Sequence, residues 1–380
     1  MFNIILLGVT SLLTDISSEM VYPVLPIYLV STLGASPAIL GLIEGIAESL
    51  ASLLKVFSGY FSDKIKKRKP FAILGYAASG VGKFILFISS GWGMVLASRV
   101  IDRFGKGVRT APRDALIAES STAGKRGGAF GLHRAMDTAG AAIGVLWVYF
   151  LITRFHGDFK HIFLFSLIPA FLGVLFLFAV KEKKAAAVVP REKLQFNWRS
   201  LDKRLKLFFI FTFIFTLGNS SNQFLLLRAK NLGNPLPTVI LLYLFYNLIY
   251  AWAVYPATRL SDKIGRKKLL VLGYLFYGLV YLGFALNNSP ANFWFLFGLY
   301  GLYIAFTEGV EKALVADIAP QDLRATAIGL HATLVGIGLL PASLFAGLLW
   351  KYLGASAPFY FGGFMGIGAS IGFWFVLRGL

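Results

Sequence analysis

Apolar segments of about 20 residues recur along the whole of this 380-residue chain and are separated by shorter polar segments. An α-helix of that length crosses the hydrocarbon layer of a bilayer, which is about 30 Å thick. The pattern therefore predicts an all-α membrane protein of about twelve transmembrane helices, with a kink at Pro23 in the first. The predicted spans are residues 4–31, 38–60, 71–89, 94–117, 128–152, 162–180, 206–229, 238–260, 269–287, 293–317, 326–350 and 358–377.

The composition leads to the same conclusion. Hydrophobic residues make up 57% of the chain and charged residues 14%, against about 25% charged residues in a soluble domain. Lipid is therefore the expected solvent for most of the protein. Cysteine is absent, which excludes disulfides and cysteine-ligated metals. Residues 2–7 lead into the first span without a basic segment, so no cleavable signal peptide is expected.

The formal net charge is +19, but the basic residues lie between apolar segments and not on one soluble face. Nucleic acid is therefore not an expected partner. The basic residues cluster in alternate loops, such as 64–69 and 263–268, whereas loops 33–37 and 287–291 are uncharged. The positive-inside rule then places the basic loops and both termini in the cytoplasm. We expect a multi-pass protein of the cell inner (plasma) membrane, in contact with membrane lipid.

Residues 181–205 lie at the middle of the chain and are rich in lysine and arginine. They predict a cytoplasmic basic linker between an N-terminal six-helix half, residues 1–180, and a C-terminal six-helix half, residues 206–380. The positive charge is expected to anchor the flanking helices, and binding of anionic lipid headgroups is the alternative.

The two halves repeat one another. Residues 115–119, Ala-Leu-Ile-Ala-Glu, correspond to residues 313–317, Ala-Leu-Val-Ala-Asp, at an offset of 198. Residues 131–133, Gly-Leu-His, recur at the same offset. An even number of spans per half gives parallel repeats, with the substrate path between them. We therefore expect two pseudo-symmetric six-helix bundles.

Residues 59–69 resemble the loop between helices 2 and 3 of the major facilitator superfamily. The family pattern is glycine, three residues, aspartate, a basic residue, any residue, glycine and then basic residues. Here Asp63 is present and Lys66 replaces the second glycine, whereas the second copy keeps that glycine as Gly265 and has Thr258 in place of the first.

Two further segments carry the resemblance. Residues 103–107, Arg-Phe-Gly-Lys-Gly, are similar to the helix 4 signature of the superfamily's proton-linked exporters. The fifth span contains Gly140 and Gly144, with Ala141 where the antiporter signature has proline. The resemblance covers nearly the whole chain and implies a secondary transporter that works by alternating access and is coupled to protons.

Charged side chains inside a membrane usually face a partner or a water-filled cavity. Spans 6, 9 and 12 have no charge in their central parts and span 3 has only Lys83, so these four are expected to face lipid. Spans 1, 2, 4, 5 and 10 should line the interior, and amides of the C-terminal half should hydrogen-bond the substrate. The substrate-cavity candidates are Glu44, Glu48, Arg103, Arg134, Asn219, Asn222, Gln223, Asn247 and Glu308.

Asp15 and Glu19 lie one helical turn apart on the first span. Two carboxylates at this spacing repel each other, so one of them is suited to hold a proton near neutral pH. Static pairing is the alternative. Asp102 and Asp137 are the other proton-coupling candidates, although Asp102 and Arg103 equally fit a buried ion-pair network.

The offset of 198 matches Arg113 and Asp114 with Glu311 and Lys312, so equivalent positions carry opposite charges. We expect Arg113 to attract Glu311 across a cytoplasmic gate. Aspartates after spans 2 and 8, with charges at neighbouring helix ends, are expected to tie down one loop in each half. The gate candidates are Asp63, Arg113, Asp114, Glu119, Arg126, Asp262, Glu311, Lys312, Asp317 and Arg324.

Residues 105–107, Gly-Lys-Gly, lack the spacing of a phosphate-binding loop, so transport must draw on an ion or substrate gradient. The sequence favours a proton-coupled antiporter that exports a small organic solute. Uptake of an anionic or metal-chelate solute is the alternative. The arginines that suggest it are Arg99, Arg103, Arg109 and Arg134.

An enzyme is the alternative from a different class, with His133 and Asp137 as an acid–base pair. The second copy has His331, but Val335 stands at the position of Asp137, which argues against catalysis. The recurring histidine favours a shared packing role over metal binding. We expect no catalytic residue, metal or cofactor, and a monomer that handles a small-molecule substrate and protons.

Overall fold

The computed structural model describes residues 2–65, 67–121, 125–154, 158–182, 202–320 and 323–376. Within these ranges the chain is helical and contains no β-strand, so the predicted all-α class is confirmed. Two helices begin directly after an aspartate that caps the helix N-terminus. Asp158 accepts a hydrogen bond from the backbone N–H of Lys160 at 2.9 Å, and Asp202 accepts one from Arg204 at 2.6 Å. Each aspartate thus caps one helix N-terminus.

The N-terminal part of the chain forms seven α-helices within the described residues, and a π-helical turn, Tyr28–Thr32, follows the second of them. They are α1 (Phe2–Val21), α2 (Leu25–Ile27), α3 (Pro37–Ile65), α4 (Lys69–Phe87), α5 (Trp92–Glu119), α6 (Arg126–Arg154) and α7 (Phe159–Phe178).

The C-terminal part forms seven more within the described residues, and a 3-10 turn, Pro290–Asn292, precedes the fifth of these. They are α8 (Lys203–Gly218), α9 (Gln223–Asn231), α10 (Leu236–Ile264), α11 (Arg266–Leu286), α12 (Phe293–Ile318), α13 (Arg324–Leu353) and α14 (Ala357–Val376).

Eight helical segments of the described chain are long and apolar enough to cross a membrane. Helix α5 is not among them, because charged residues recur through its length. The eight segments are Phe2–Thr32, Lys69–Phe87, Arg126–Arg154, Phe159–Phe178, Leu236–Ile264, Arg266–Leu286, Pro290–Ile318 and Thr326–Leu353.

The chain folds into two compact units, Met1–Ala35 with Ile46–Pro190 and Ser36–Gly45 with Arg191–Leu380. This division differs from the predicted halves at Ser36–Gly45, which contains the first part of α3 and packs within the second unit. A Cβ atom at Gly45 would lie 2.8 Å from the carbonyl oxygen of Leu340 on α13. Only glycine permits so close an approach of two helix backbones.

In the first unit, one buried apolar cluster joins α1, α4, α5, α6 and α7 and includes Leu7, Tyr76 and Leu177. Helices α4 and α5 approach backbone to backbone. A Cβ atom at Gly82 would lie 2.7 Å from the carbonyl oxygen of Ser98. This close contact brings polar side chains of the two helices together.

In each unit, a pair of consecutive helices is separated by a short non-helical break. The first break lies between Val21 and Leu25, where the sequence predicted a kink at Pro23. The second lies between Gly218 and Gln223. A helix end leaves carbonyl oxygens without an intrahelical partner, and Tyr277 Oη donates a hydrogen bond to the Gly218 carbonyl at 2.8 Å.

Candidate functional site

Five charged side chains of α3, α4 and α5 form a group in the first unit, which we call the ionic cluster; four are buried and Glu48 is half-buried. Arg99, Asp102 and Arg103 lie on one face of α5, because residues three and four positions apart are neighbours on a helix. The members of the ionic cluster are Glu48, Lys83, Arg99, Asp102 and Arg103.

The shortest ion pair of the ionic cluster joins Arg103 Nη2 to Glu48 Oε1 at 2.9 Å. Arg99 Nη2 lies 3.9 Å from the same oxygen. Asp102 Oδ2 lies 3.7 Å from Arg99 Nη1 and 4.0 Å from Arg103 Nη1, and its Oδ1 lies 3.4 Å from Lys83 Nζ. Three cations thus surround two carboxylates, which favours the ion-pair network over a proton-carrying role for Asp102.

Lys83 was missed as a site residue by the sequence reasoning, which assigned its helix to the lipid-facing scaffold. Its side chain is buried and lies beside Asp102, so this face of α4 points into the unit. A lone lysine in an apolar helix needs a counter-charge within the protein. That requirement could have identified Lys83 as a site residue from the sequence.

Arg109 is another buried cation on α5, outside the ionic cluster. It donates a hydrogen bond to the Ser79 hydroxyl, and its guanidinium lies 4.6 Å from the ring centroid of Tyr76. Among the described residues, no carboxylate lies within 4 Å of it. The first unit therefore buries more positive than negative charge around α5.

The carboxylates of α1, Asp15 and Glu19, are half-buried. The charges that act on Asp15 are those of Asp137, Glu19, Arg109 and Lys106. Asp15 therefore shares its surroundings with two other carboxylates and two cations, whereas the ionic cluster has an excess of cations.

Polar groups of the second unit collect at the break between α8 and α9. Tyr300 Oη donates to Asn222 Oδ1 at 2.6 Å, and Asn222 Nδ2 donates to Tyr246 Oη at 3.3 Å. Asn219 Nδ2 donates to Tyr303 Oη at 3.3 Å. The sequence analysis selected both asparagines as cavity candidates but did not select the tyrosines.

The other cavity candidates differ in their contacts. Glu44 is buried and accepts a hydrogen bond from the Ser221 hydroxyl at 3.4 Å. Asn247 donates to a backbone carbonyl of its own helix, and Arg134 is exposed. Gln223 is buried, and its amide has no hydrogen-bond partner within the described chain.

Glu308 is exposed on α12 and accepts a hydrogen bond from Tyr250 Oη at 2.7 Å. Its Oε1 also lies 3.7 Å from Lys312 Nζ, four residues further along the helix. The Lys312 gate candidate therefore has a partner within its own unit.

Equivalent arginines organise the turns after α3 and α10. Arg68 lies 3.0 Å from both Asp63 and Glu119. Arg266, 198 positions later, lies 3.5 Å from Asp262 and 2.5 Å from Asp317. The sequence singled out the acidic members but named Arg126 and Arg324 in place of these arginines. Both of those are exposed, and no ion pair joins them to another described residue.

Glu119 is the last residue of α5 and lies beyond the predicted span 94–117. Its partial burial, with Glu182 and Asp63 nearby, raises its pKa above the ordinary range, and the attraction of Arg68 acts against this. Burial and the two neighbouring carboxylates together outweigh this attraction.

The two residues predicted to form a gate have partners in their own units. Arg113 Nη2 lies 2.9 Å from Asp114 Oδ1, and Nη1 donates to the Ser11 hydroxyl at 3.1 Å. Glu311 accepts a hydrogen bond from Tyr274 at 2.7 Å. A pairing of Arg113 with Glu311 during a conformational cycle stays a prediction.

No arrangement typical of a hydrolase or a metal site occurs in the described chain. The Gly-x-Ser-x-Gly spacing at residues 368–372 lies inside α14, where Ser370 donates to the Val271 carbonyl at 2.8 Å. A nucleophile of this type needs a sharp strand-to-helix turn. No group of three or more histidine, aspartate and glutamate side chains of the described residues is placed to hold a metal ion.

Comparison with known proteins gives relatives over nearly the whole chain. The sequence model of the Major Facilitator Superfamily matches residues 7–226 and 207–379. An uncharacterized MFS-type transporter of Methanocaldococcus jannaschii is 44% identical over 360 residues, covering 92% of this chain and 88% of that protein. The multidrug resistance protein MdtH of Photorhabdus laumondii is 23% identical over 354 residues, covering 90% of this chain and 84% of that protein.

Two solved structures share the fold at low sequence identity. The nucleoside transporter NupG superposes with a TM-score of 0.83 at 14% identity, over 100% of both chains. A D-xylose-proton symporter superposes with a TM-score of 0.75 at 19% identity, over 98% of this chain and 96% of that one. At these identities the likeness establishes the fold alone.

Proposed function

This chain belongs to the major facilitator superfamily, and from that premise we propose that it is a proton-coupled exporter of a small organic solute. The resemblance found in its sequence is confirmed, and the chain is a multi-pass membrane transporter and not an enzyme. Within this proposal, twelve spans form two six-helix halves that alternate access to a substrate path. The halves are residues 1–180 and 206–380, joined by the basic linker 181–205. The transporter acts as a monomer in the inner membrane, with both termini cytoplasmic.

Proton coupling rests on the carboxylates of α1. Asp15 and Glu19 lie one turn apart on a half-buried face, and the charges around Asp15 include Asp137. Bringing several carboxylates together inside a bundle favours neutralisation of one of them by a proton. Asp102 has cations in ion-pair range and is assigned the structural role.

Export is supported by the relatives named multidrug resistance protein MdtH. The solute is assigned to the polar surface at the α8–α9 break, where Asn219 and Asn222 lie among tyrosines. Aromatic rings with hydroxyl and amide groups suit a solute with an apolar body and a few polar groups.

The proposal is tested in proteoliposomes with an imposed pH gradient, acid inside, and a panel of dyes, antibiotics and nucleosides. We expect gradient-dependent accumulation of at least one solute, which a protonophore abolishes. Asp15→Asn and Glu19→Gln should lose this accumulation but retain solute exchange without a gradient, because the amide mimics the protonated carboxylate.

Asp158→Asn is the control, since it removes an exposed carboxylate outside the predicted spans. Unchanged accumulation in both α1 variants removes these carboxylates from coupling. If no solute of the panel accumulates with the gradient in either orientation, proton-coupled export is wrong.

Uptake of an anionic solute remains the second candidate because of one observation. Arg109 is buried beside Ser79 and Tyr76 without a carboxylate in ion-pair range among the described residues. Anionic and metal-chelate solutes belong in the same assay. Movement of such a solute together with protons, lost in Arg109→Gln, would establish this candidate in place of export.

A further inference from the structure

Three titratable side chains from three helices meet inside the second unit. Tyr274 Oη on α11 donates a hydrogen bond to Glu311 Oε1 on α12 at 2.7 Å. Nε2 of His331 on α13 lies 3.5 Å from the other carboxylate oxygen, Oε2. The side chains of His331 and Glu311 are 5% and 16% exposed, and Tyr274 is fully buried. We call Tyr274, Glu311 and His331 the Glu311 triad.

Aromatic rings pack against Tyr274 and His331 of the Glu311 triad. The ring centroid of Phe215 lies 4.1 Å from that of Tyr274, and that of Phe373 lies 5.0 Å away. The ring of Phe208 lies 6.0 Å from the imidazole of His331. Helices α8 and α14 thus contribute phenylalanine rings to this environment, which solvates a charge poorly.

The carboxylate of Glu311 has no arginine or lysine within 4 Å among the described residues. Its possible counter-ion is therefore the imidazole of His331. The titratable groups near Glu311 from the packed helices are Tyr274 from α11, Tyr303 and Glu308 from α12, and His331 from α13, with Lys312 paired to Glu308 on the exposed side.

The first unit offers a natural comparison, because His133 is the equivalent of His331. Nδ1 of His133 lies 3.4 Å from Oδ2 of Asp137. The position equivalent to Glu311 is occupied there by Arg113, and the charge of Arg113 acts on His133. Both units therefore keep a buried histidine beside a carboxylate, but the first adds a permanent cation and the second does not.

This difference determines how each carboxylate is neutralised. A buried carboxylate without a permanent cation is stable when it binds a proton itself or when its imidazole partner carries one. In the Glu311 triad the proton can bind at Oε2 of Glu311 or at Nε2 of His331. That nitrogen is buried and has no hydrogen-bond partner within the described chain.

We propose that Glu311 and His331 together form a proton-binding site of the second unit, which Tyr274 holds in place by its hydrogen bond. The site is separate from the carboxylates of α1. Its use in coupling rests on the proposed function, whereas proton binding itself does not require a substrate or a gradient.

The test uses the full-length protein with isotope-labelled histidine in lipid nanodiscs, titrated by NMR without substrate. The chain contains four histidines, so the His331 signal can be assigned by its loss in His331→Gln. We expect this signal to titrate, and Glu311→Gln to move its midpoint, because it removes the neighbouring carboxylate. Tyr274→Phe should move the midpoint in a protein whose carboxylate is intact.

The exposed pair of Asp158 and His161, 2.6 Å apart, provides the matched control. Asp158→Asn should leave the His331 midpoint unchanged. A His331 signal that keeps one protonation state at every pH at which the protein stays folded overturns the proposal. So does a titration that is the same in the wild type, Glu311→Gln and Tyr274→Phe.

If Glu311→Gln does not fold, the proposal is tested by comparing the His331 midpoint in Tyr274→Phe with that in the wild type. Failure of the proposed function has a different signature. A coupled titration of His331 in a protein that shows no proton-driven transport contradicts proton coupling and leaves the proton-binding site established.

Discussion

The ammonium group of Lys83 on α4 lies 3.4 Å from the carboxylate of Asp102 on α5, and both side chains are buried. Asp102 also lies within 4.0 Å of Arg99 and Arg103 on its own helix. Its charge is therefore compensated from two helices. A proton on Asp102 would increase the existing excess of positive charge in the ionic cluster, which is why we assign this carboxylate to stability and not to coupling.

Removal of one member of the Lys83–Asp102 pair should destabilise the protein far more than removal of both. Asp102→Asn leaves a buried ammonium without its carboxylate, a loss of roughly 3–5 kcal/mol. Lys83→Met combined with Asp102→Leu should lower the free energy of unfolding by less than Asp102→Asn alone. The double variant leaves no unpaired ammonium, and Glu48 remains as the ion-pair partner of Arg99 and Arg103. Thermal unfolding in detergent measures the difference.

Lys351→Met is the control for the loss of a lysine, since Lys351 is exposed on α13. It should leave the unfolding temperature nearly unchanged. The loss of unfolding free energy in the double variant can be compared with the sum of the losses in Lys83→Met and Asp102→Leu. If the two are equal, the pair carries no coupling energy and the assignment is wrong.

The approach of α4 to α5 depends on Gly82, and Gly80 on the same helix provides the control. A Cβ atom at Gly82 would meet the Ser98 carbonyl at 2.7 Å, whereas one at Gly80 meets nothing within 4 Å. Gly82→Ala should destabilise by about 1–3 kcal/mol through overpacking. Gly80→Ala should be neutral or stabilising by up to about 1 kcal/mol. Equal unfolding temperatures for the two variants would contradict this close contact.

The sequence determined the helices well and the partners of the charged residues poorly. The length of the apolar segments located most of the helices, and Pro23 marked the break after α1. The partner of Lys83 could not be deduced, because pairing depends on which faces of α4 and α5 meet. Likewise Arg68 and Arg266 were overlooked, since they were counted with the basic loop residues that set membrane orientation.

The second break illustrates the same limit. No proline marks the interruption between Gly218 and Gln223, so its signal in the sequence is only the polar run of residues 219–223. The hydrogen bonds that support it come from tyrosines of α10, α11 and α12, far away in the chain. Sequence patterning identifies the asparagines, but only the packed bundle brings the tyrosines to them.

The turn after α3 should become less stable as pH rises. The pKa of Glu119 is raised in the folded protein, so its stabilising contribution is present below its ordinary pKa. That contribution is lost as pH rises through the raised value. The test measures the unfolding temperature of the wild type and of Glu119→Gln between about pH 4 and about pH 7. The unfolding temperature should fall less steeply with pH in the variant.

The matched control for this pH dependence is the second unit, where Asp317 occupies the position of Glu119 and binds Arg266 at 2.5 Å. In an Asp317→Asn background, Glu119→Gln should still weaken the fall of unfolding temperature with pH. Identical slopes in the wild type and Glu119→Gln would remove Glu119 as its source.

The two roles assigned to Glu311 can be separated by exchanging charges with Arg113. In the structure each of these side chains has partners within its own unit, Asp114 for Arg113 and Tyr274 for Glu311. We predict that they attract each other in another state of the transport cycle. Arg113→Glu should then stop both exchange and gradient-driven transport, because two acidic groups would repel at the gate and a buried ion pair is costly to break.

The combination of Arg113→Glu with Glu311→Arg restores opposite charges at the gate but not a carboxylate beside His331. Exchange, which needs only the conformational cycle, should therefore recover in part, while gradient-driven accumulation should remain absent. Exchange no better than in the worse single variant would exclude the gate pairing. Full recovery of gradient-driven accumulation would instead exclude Glu311 from proton coupling, because an arginine at that position cannot carry the proton.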